Sequence, residues 1–408
     1  MPDKTDFKSM RIHCDSNSSL SGKVIDDFLM HFAARQENLE REMEKCLARY
    51  QHITLDIHES WVNRVRAQYI AHRLFKAGGL IKKYINHAEL RRFSGQERIY
   101  LEWQLQNRWR YSFSVILDNP AKDFYRMEDV LSGKTFLLFS PAITETLLEQ
   151  PAKLWFNLIA FNGSCWQTFG PIGAYTGFDA DDVFFYATEL NPSLESEEDI
   201  IREIDANPIP FNMLVAGAAL PRVVSRGVEL ILLSAEHDLD SFDTSSLRSR
   251  FTIEYNKGVY KLSLRGWDEL PHFSVAYYNE KKKMLQMSAM SEQGFDALAS
   301  QLNASGYQVP HEAHVGVSPN MLTTTEKILR KKIRLTPYES LFEVKPSPGA
   351  QADIDKLNKL LAMILPEINA GKDPDIDMFA KKAGVDVELV RNVVENAVSR
   401  IKKLRDEK

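Results

Sequence analysis

Apolar and polar residues change their spacing along this chain, and the changes divide it. From Val24 apolar side chains return every three or four positions. Val24, Ile25, Phe28, Leu29 and Phe32 form one stripe, and Leu39, Met43, Cys46, Leu47 and Tyr50 form the next. Such spacing lays apolar groups along one face of a helix. Trp61, Val62, Val65, Tyr69 and Leu74 continue the pattern until Gly78-Gly79 stops it. A shorter helix carries Leu80, Ile81, Tyr84 and Ile85, and Ser94-Gly95-Gln96-Glu97 reads as a capping box opening one more. Behind a polar, flexible lead-in at 1–22, residues 23–110 therefore read as a helical domain.

From Tyr111 the period drops to two or to short apolar runs. Strands are expected at 111–117, 124–131, 135–139, 154–162 and 165–169, rich in Phe, Trp, Val and Ile. Asp118-Asn119-Pro120, Ser132-Gly133, Asn162-Gly163 and Gly170-Pro171 supply turn chemistry between them. Short strands without intervening helices predict a small antiparallel sheet or partly closed barrel, followed by an acidic helical tail, over 111–206. Residues 207–310 mix a short apolar helix (212–219), strands at 228–233, 251–256, 259–264 and 273–278, and a helix at 293–302. A connecting segment at 311–350 ends in Pro346-Ser347-Pro348-Gly349-Ala350. Residues 351–408 are helical again. The fold class that emerges is α+β and multidomain.

The C-terminal module has the clearest local pattern. Ala380 is followed by Gly384 four residues on, with Val385, Val390 and Val393 at apolar positions around it. That arrangement is helix-turn-helix-like, because a small residue lets two helices approach and glycine makes the turn. Its second helix would meet a DNA groove with its first residues, yet Asp386 and Glu388 stand there. Residues 351–408 hold 11 basic and 11 acidic side chains, a net of zero. Lys327, Arg330, Lys331, Lys332 and Arg334 precede the module, some of them at helical spacing. With Arg391 they are the candidate nucleic-acid contacts, a basic face able to track phosphates.

Charge and composition add limits. The formal net charge of the 408 residues is -5, and 44% are hydrophobic. Residues 1–110 hold 19 Lys+Arg against 14 Asp+Glu, a net of +5, which leaves -10 for the remainder. This balance predicts neither a strongly basic nucleic-acid binder nor an acidic disordered tail. The three cysteines, Cys14, Cys46 and Cys165, are widely spaced and odd in number, which suits a reducing compartment. The N-terminus lacks the apolar core of a signal peptide. The apolar run Met213–Leu220 is eight residues, where a bilayer needs roughly 20. A cytoplasmic protein with no membrane partner is expected.

Candidate chemistry is sparse. Gly133-Lys134-Thr135 ends like a phosphate-binding loop, but Glu128 occupies the first glycine position and Phe136-Leu137-Leu138-Phe139 reads as strand where a helix must begin. It is expected to be a hairpin turn. His311 and His314 are one residue short of the zinc-protease spacing and sit in a loop. Asp179, Asp181 and Asp182 read as helix-start acids, and Asp238, Asp240 and Asp243 as turn and cap residues. Cys165 beside Trp166 reads as half-buried packing. The aromatic strands, with Phe113, Tyr125, Phe136, Trp155, Phe161 and Trp166, raise a base-stacking alternative, but lacking interleaved Lys and Arg they read as core.

Glu97-Arg98, Tyr111-Ser112-Phe113-Ser114-Val115 and Asp129-Val130-Leu131-Ser132-Gly133-Lys134 carry a resemblance. The span Gly95 to Leu190 resembles a domain of uncharacterised prokaryotic proteins, many of which carry a cysteine-rich SEC-C zinc motif. Tyr277 to Leu302 is similar to a later part of them, so the resemblance covers about half the chain. The zinc motif is absent here, and the resemblance implies neither a metal site nor an activity.

The sequence thus predicts a non-enzymatic interaction or regulatory protein without a cofactor. Its expected partner is a protein, with nucleic acid contacted through the C-terminal part as a second class. The alternative is a metal-dependent hydrolase or nuclease using the acidic clusters at 179–182 or 238–243.

Overall fold

A computed structural model of the chain describes residues 6–342, 356, 359–360, 363–364 and 375–385. Asp6 starts the first helix by accepting from the amides of Lys8 and Ser9. That helix, α1 (Phe7–Ser21), occupies most of the stretch expected to be a flexible lead-in. Within α1 only Cys14 is fully buried, so its own sequence gives little amphipathic signal. Contacts with distant residues hold it, and those are invisible to periodicity.

The chain stays helical through a wider, π-type stretch at Gly22–Leu29 and runs into α2 (Met30–Glu37). Asn38 takes a left-handed conformation and breaks it from α3 (Leu39–Ala48). Next come α4 (Gln51–Thr54), α5 (Glu59–Phe75), α6 (Ile81–Tyr84) and α7 (Gly95–Gln106). The expected capping box at α7 is not completed by side chains. Ser94 is the N-cap without a side-chain bond, and the Glu97 carboxylate pairs with Lys23.

Five strands follow: β1 (Arg110–Ala121), β2 (Phe124–Asp129), β3 (Thr135–Phe139), β4 (Leu154–Phe161) and β5 (Trp166–Tyr175). They close into a barrel in the order β1-β2-β3-β5-β4. Two expectations change here. Helix α8 (Pro141–Glu149), capped by Ser140, lies between β3 and β4, and β3 pairs with β5 in parallel, so the barrel is mixed rather than antiparallel. A parallel pair needs a long crossover, which α8 and β4 provide. Gly170-Pro171 is also not a turn. Gly170, at φ +76, forms an irregularity opposite Phe156 and Leu158, and β5 continues to Tyr175.

The barrel faces divide by strand alternation. Tyr125, Met127, Leu138, Trp155, Ile159 and Ala174 fill the lumen. Tyr111, Phe113, Phe156 and Leu158 face outward into a larger core shared with Val24, Leu39, Val65, Leu74 and Leu101 of the helices. Stacking of Phe113 on Phe156, with ring centroids 4.2 Å apart, sits in this shared layer. The Gly133 turn is a hairpin: Asp129 ends β2, and its carboxylate accepts from the amide and hydroxyl of Ser132.

Helices α9 (Ala180–Leu190), α10 (Glu197–Ala206) and α11 (Ile209–Asn212) come next. The helix expected at 212–219 is instead α11 followed by a tighter turn, Met213–Gly217. The strand expected at 228–233 is split into β7 (Val228–Glu229), paired with β6 (Val224–Ser225), and β8 (Leu232–Asp238). Strands β9 (Phe251–Asn256), β10 (Val259–Leu264), β11 (Val275–Asn279) and β12 (Met284–Ala289), helix α12 (Glu292–Ala304) and strand β13 (Val315–Val317) complete an antiparallel sheet. Its order is β13-β8-β12-β11-β10-β9. Phe295, Leu298 and Leu302 of α12 pack with Leu262, Leu285 and Met287 of the sheet. The span 311–350, read as a connector, contributes β13 to this sheet and helix α13 (Pro319–Leu329), whose Met321 and Ile328 join the larger core.

Residues Glu339–Lys408 form a second unit. Its described part centres on α14 (Ile376–Ala383), capped by Asp375 and ended by Gly384 in the left-handed region at φ 72. Ala380 and Ala383 pack there with Leu360 and Ile364. The second helix of the helix-turn-helix-like pattern lies outside the described residues.

Candidate functional site

The β4–β5 turn is built around one side chain. Asn162 Oδ1 accepts from the amides of Ser164 and Cys165, each at 2.9 Å, which closes an Asx turn and directs Cys165 inward. Asn162 Nδ2 donates to Gln167 Oε1 at 2.7 Å and lies 3.3 Å from Cys14 Sγ. Helix α1 supplies the other half. Asn17 donates to Gln167 Oε1, and Gln167 Nε2 donates to the Cys14 carbonyl and to Ser18 Oγ, both at 3.1 Å. His13 Nε2 is 2.8 Å from the Asn162 carbonyl. At the centre the Cys14 and Cys165 sulfurs are 3.4 Å apart.

At the β1–β2 turn, Arg11 pairs with Asp123 at 2.8 Å, and Phe7 packs on Phe124 with centroids 5.2 Å apart. Helix α1 thus touches both turns. The pair of thiols is electrostatically unequal. Hydrogen bonds from Cys165 and Asn162, helped by Arg11, hold the Cys14 thiol below its ordinary value despite burial. The bond to Cys14 and burial push Cys165 up.

Beside this network opens a cleft of about 380 Å³. Asn17, Ser18 and Ser21 of α1 form one wall, Arg64 of α5 a second, and Gln167, Thr168 and Phe169 of β5 a third, with Tyr100 and Trp109 behind. Among the described residues its lining holds no carboxylate, histidine or thiol. Arg64 is exposed and meets no carboxylate among the described residues. The arrangement can donate and accept hydrogen bonds and attract negative charge.

The acidic candidates lie elsewhere, and four of the six are engaged locally; the Asp181 and Asp238 side chains meet no hydrogen-bond or ion-pair partner among the described residues, and Asp238 lines a second cleft with Glu236, His237 and His314. Asp179 and Asp182 form a reciprocal capping box at the start of α9. Asp182 also accepts from the amide and hydroxyl of Ser318, at 2.8 and 3.1 Å. Burial, with the neighbouring Asp179, pushes its carboxyl up to about 7. Asp179 pairs with Arg222 at 3.3 Å. Asp243 caps its own turn through Ser245, whereas Asp240 is fully exposed and pairs only with Lys283 at 3.5 Å. No group of three or more His, Cys, Asp or Glu side chains able to hold a metal occurs among the described residues.

The histidine pair diverges as well. His311 bonds Asp296 at 2.9 Å, while His314 accepts from the Glu236 amide.

The basic candidates do not share one helical face. Helix α13 ends at Leu329 and Arg330 turns left-handed, at φ 53. Lys327 pairs with Asp56, Lys331 with Glu189 and Lys332 with Glu326, at 3.1, 2.6 and 2.9 Å. Arg330 and Arg334 are exposed and meet no carboxylate among the described residues. Arg391 lies outside them.

Sequence reasoning missed the Cys14–Cys165 meeting. His13-Cys14 has no neighbouring partner along the chain, and Cys165, expected to be half-buried, is fully buried. Only the Asn162-Gly163 turn signal was readable, because the two halves are 151 residues apart. The chain matches no family model, no curated protein and no solved structure.

Proposed function

We propose that this chain is a non-enzymatic interaction or regulatory protein acting in the cytoplasm, and that its partner is a protein presenting an acidic side chain to the cleft beside α1. The composition of that cleft carries the reading: a guanidinium, hydroxyls, amides and aromatic walls, with no carboxylate, imidazole or thiol among the described lining residues. Fold analogy supports a binding role without favouring a protein partner. The order β1-β2-β3-β5-β4, with β3 parallel to β5 and a helix before β4, is the connectivity of the OB barrel. Such barrels present the β1–β2 and β4–β5 loops to ligands. Here α1 touches both, which suits a module whose access is regulated.

The cytoplasmic assignment rests on three unpaired cysteines; among the described residues no helix is long and apolar enough to cross a membrane. The alternative, a hydrolase or nuclease at 179–182 or 238–243, would require these carboxylates to converge on a metal, and Asp179, Asp182, Asp240 and Asp243 are engaged in caps and ion pairs.

Capture from native lysate with the wild-type chain and with Arg64→Glu tests the reading. A protein retained by the wild type and lost with the variant supports it. Equal recovery by both, no recovery by either, or Mg²⁺-dependent phosphodiester hydrolysis abolished by Asp181→Asn overturns it.

Nucleic acid is a second reading, favoured by the exposed Arg330 and Arg334, which meet no carboxylate among the described residues. A duplex titration across a salt series should then show binding that Arg330→Glu/Arg334→Glu weakens at low salt. The likeness to proteins with a SEC-C motif stays a proposal about fold ancestry and adds no residue to either reading.

A further inference from the structure

We propose that Cys14 and Cys165 form a reversible disulfide that staples helix α1 to the β4–β5 turn of the barrel. Their sulfurs are 3.4 Å apart, whereas a disulfide is about 2.05 Å, so small side-chain and helix adjustments close the gap. Both thiols are buried, and Cys46 is neither near them nor fully buried. The surroundings fit chemistry rather than packing alone. Asn162 reaches both sulfurs through Nδ2, at 3.3 and 3.7 Å, and fixes the turn that carries Cys165. Gln167 ties the same amide to the backbone of Cys14. Two cysteines from elements far apart in sequence are therefore held face to face by a polar frame.

The two sulfurs are suited to different roles. Cys14 accepts from the Cys165 thiol and from Asn162, which lowers its pKa despite burial, so it is the readier nucleophile of the two. Cys165, whose thiol keeps its proton more strongly, is the resolving partner.

The oxidant is a peroxide, small enough to reach a buried pair when α1 loosens. Cys14 thiolate attacks the peroxide O–O bond and becomes a sulfenic acid, and the departing oxygen leaves as water in the case of hydrogen peroxide. Cys165 sulfur then attacks the Cys14 sulfur, the S–O bond breaks, and a second water carries off the hydroxyl with the Cys165 proton. In sum, two thiols and one hydrogen peroxide give one disulfide and two waters. The sulfurs lose two electrons and the peroxide gains them. A small-molecule dithiol returns the pair to thiols by two exchange steps.

The consequence is mechanical. Asn17, Ser18 and Ser21 on α1 wall the cleft, so a covalent tie at Cys14 fixes that wall one turn away. The inference stands apart from the identity of the cleft's partner, because it is read from thiols alone.

Thiol counting on denatured full-length protein tests it. The reduced chain has three titratable thiols. After stoichiometric hydrogen peroxide and quenching, the expected count is one, with a mass loss of about 2 Da that a dithiol reverses. Peptide mapping should join the Cys14 and Cys165 peptides, and amide exchange across 7–21 should slow. Cys46→Ser should behave like the wild type, with its count falling from two to none. Three persistent thiols, a Cys14 sulfinic acid in place of the cross-link, a pairing through Cys46, or unchanged exchange across α1 would each overturn the staple. These readings are made on the wild-type chain, so they do not depend on whether a Cys14 variant folds.

Discussion

Asp182, inside the first turn of α9, accepts both the backbone amide and the hydroxyl of Ser318, the residue that caps α13. One carboxylate therefore joins the starts of two helices 136 residues apart in the chain. The helix-start role expected of Asp182 thus extends to the start of a second helix.

The clamp has a pH signature. The Asp182 carboxyl is pushed up to about 7 in the folded chain, mainly by burial, against about 3.9 when unfolded. Between those values the native state holds the proton more tightly, so this group's contribution to stability declines as pH rises from about 4 to about 7. Asp182→Asn should flatten that part of the profile, whatever it does to stability overall. Urea midpoints measured across this range provide the check, and a slope unchanged in the variant would refute the assignment.

Gln68 holds the barrel to α5. Its Nε2 donates to the carbonyls of Phe169 and Pro171, at 2.9 and 3.1 Å, on either side of Gly170. Gln68→Ala leaves two carbonyls without that donor and should cost about 2–4 kcal/mol. Denaturant unfolding measures this, and a loss under about 0.5 kcal/mol would show the irregularity in β5 to be self-supporting.

Asn157 is the reverse case. It lies between Trp155 and Ile159 on the lumen side of β4, and neither atom of its amide meets a partner. Replacing it by Leu removes an unmatched polar group and should be neutral or stabilising by about 1 kcal/mol. Asn157→Asp should instead destabilise by about 3 kcal/mol or more, since a buried charge would have no partner. Thermal melts of the pair distinguish the two signs.

Gly217 is constrained by close approach. A Cβ there would lie 2.4 Å from Thr324 Oγ1 and 2.6 Å from the Phe178 ring. Gly217→Ala should cost about 1–3 kcal/mol by forcing α13 away from the tight turn at Met213–Gly217. Partial restoration by the second substitution Thr324→Ala, which removes the nearer atom and leaves the Phe178 ring, would tie the loss to this contact.

Periodicity alone was enough for much of the local structure. The stripe Val62, Val65, Tyr69 and Leu74 is the buried face of α5, and β2, β3, β9 and β10 fall where alternation put them. The Asn162-Gly163 and Ser132-Gly133 turns were readable because asparagine and glycine act on their own backbone. α1 was not, since its polar sequence is ordered by Arg11–Asp123, Phe7–Phe124 and the Asn17–Gln167 bond. The parallel β3–β5 pair, the Asp182–Ser318 clamp and the cleft around Arg64 were equally out of reach. An apolar period reports which face is buried and says nothing of what covers it. Only the closed barrel and the helix touching its turns bring Cys14 to Cys165, because that meeting is decided by chain topology and not by any local preference.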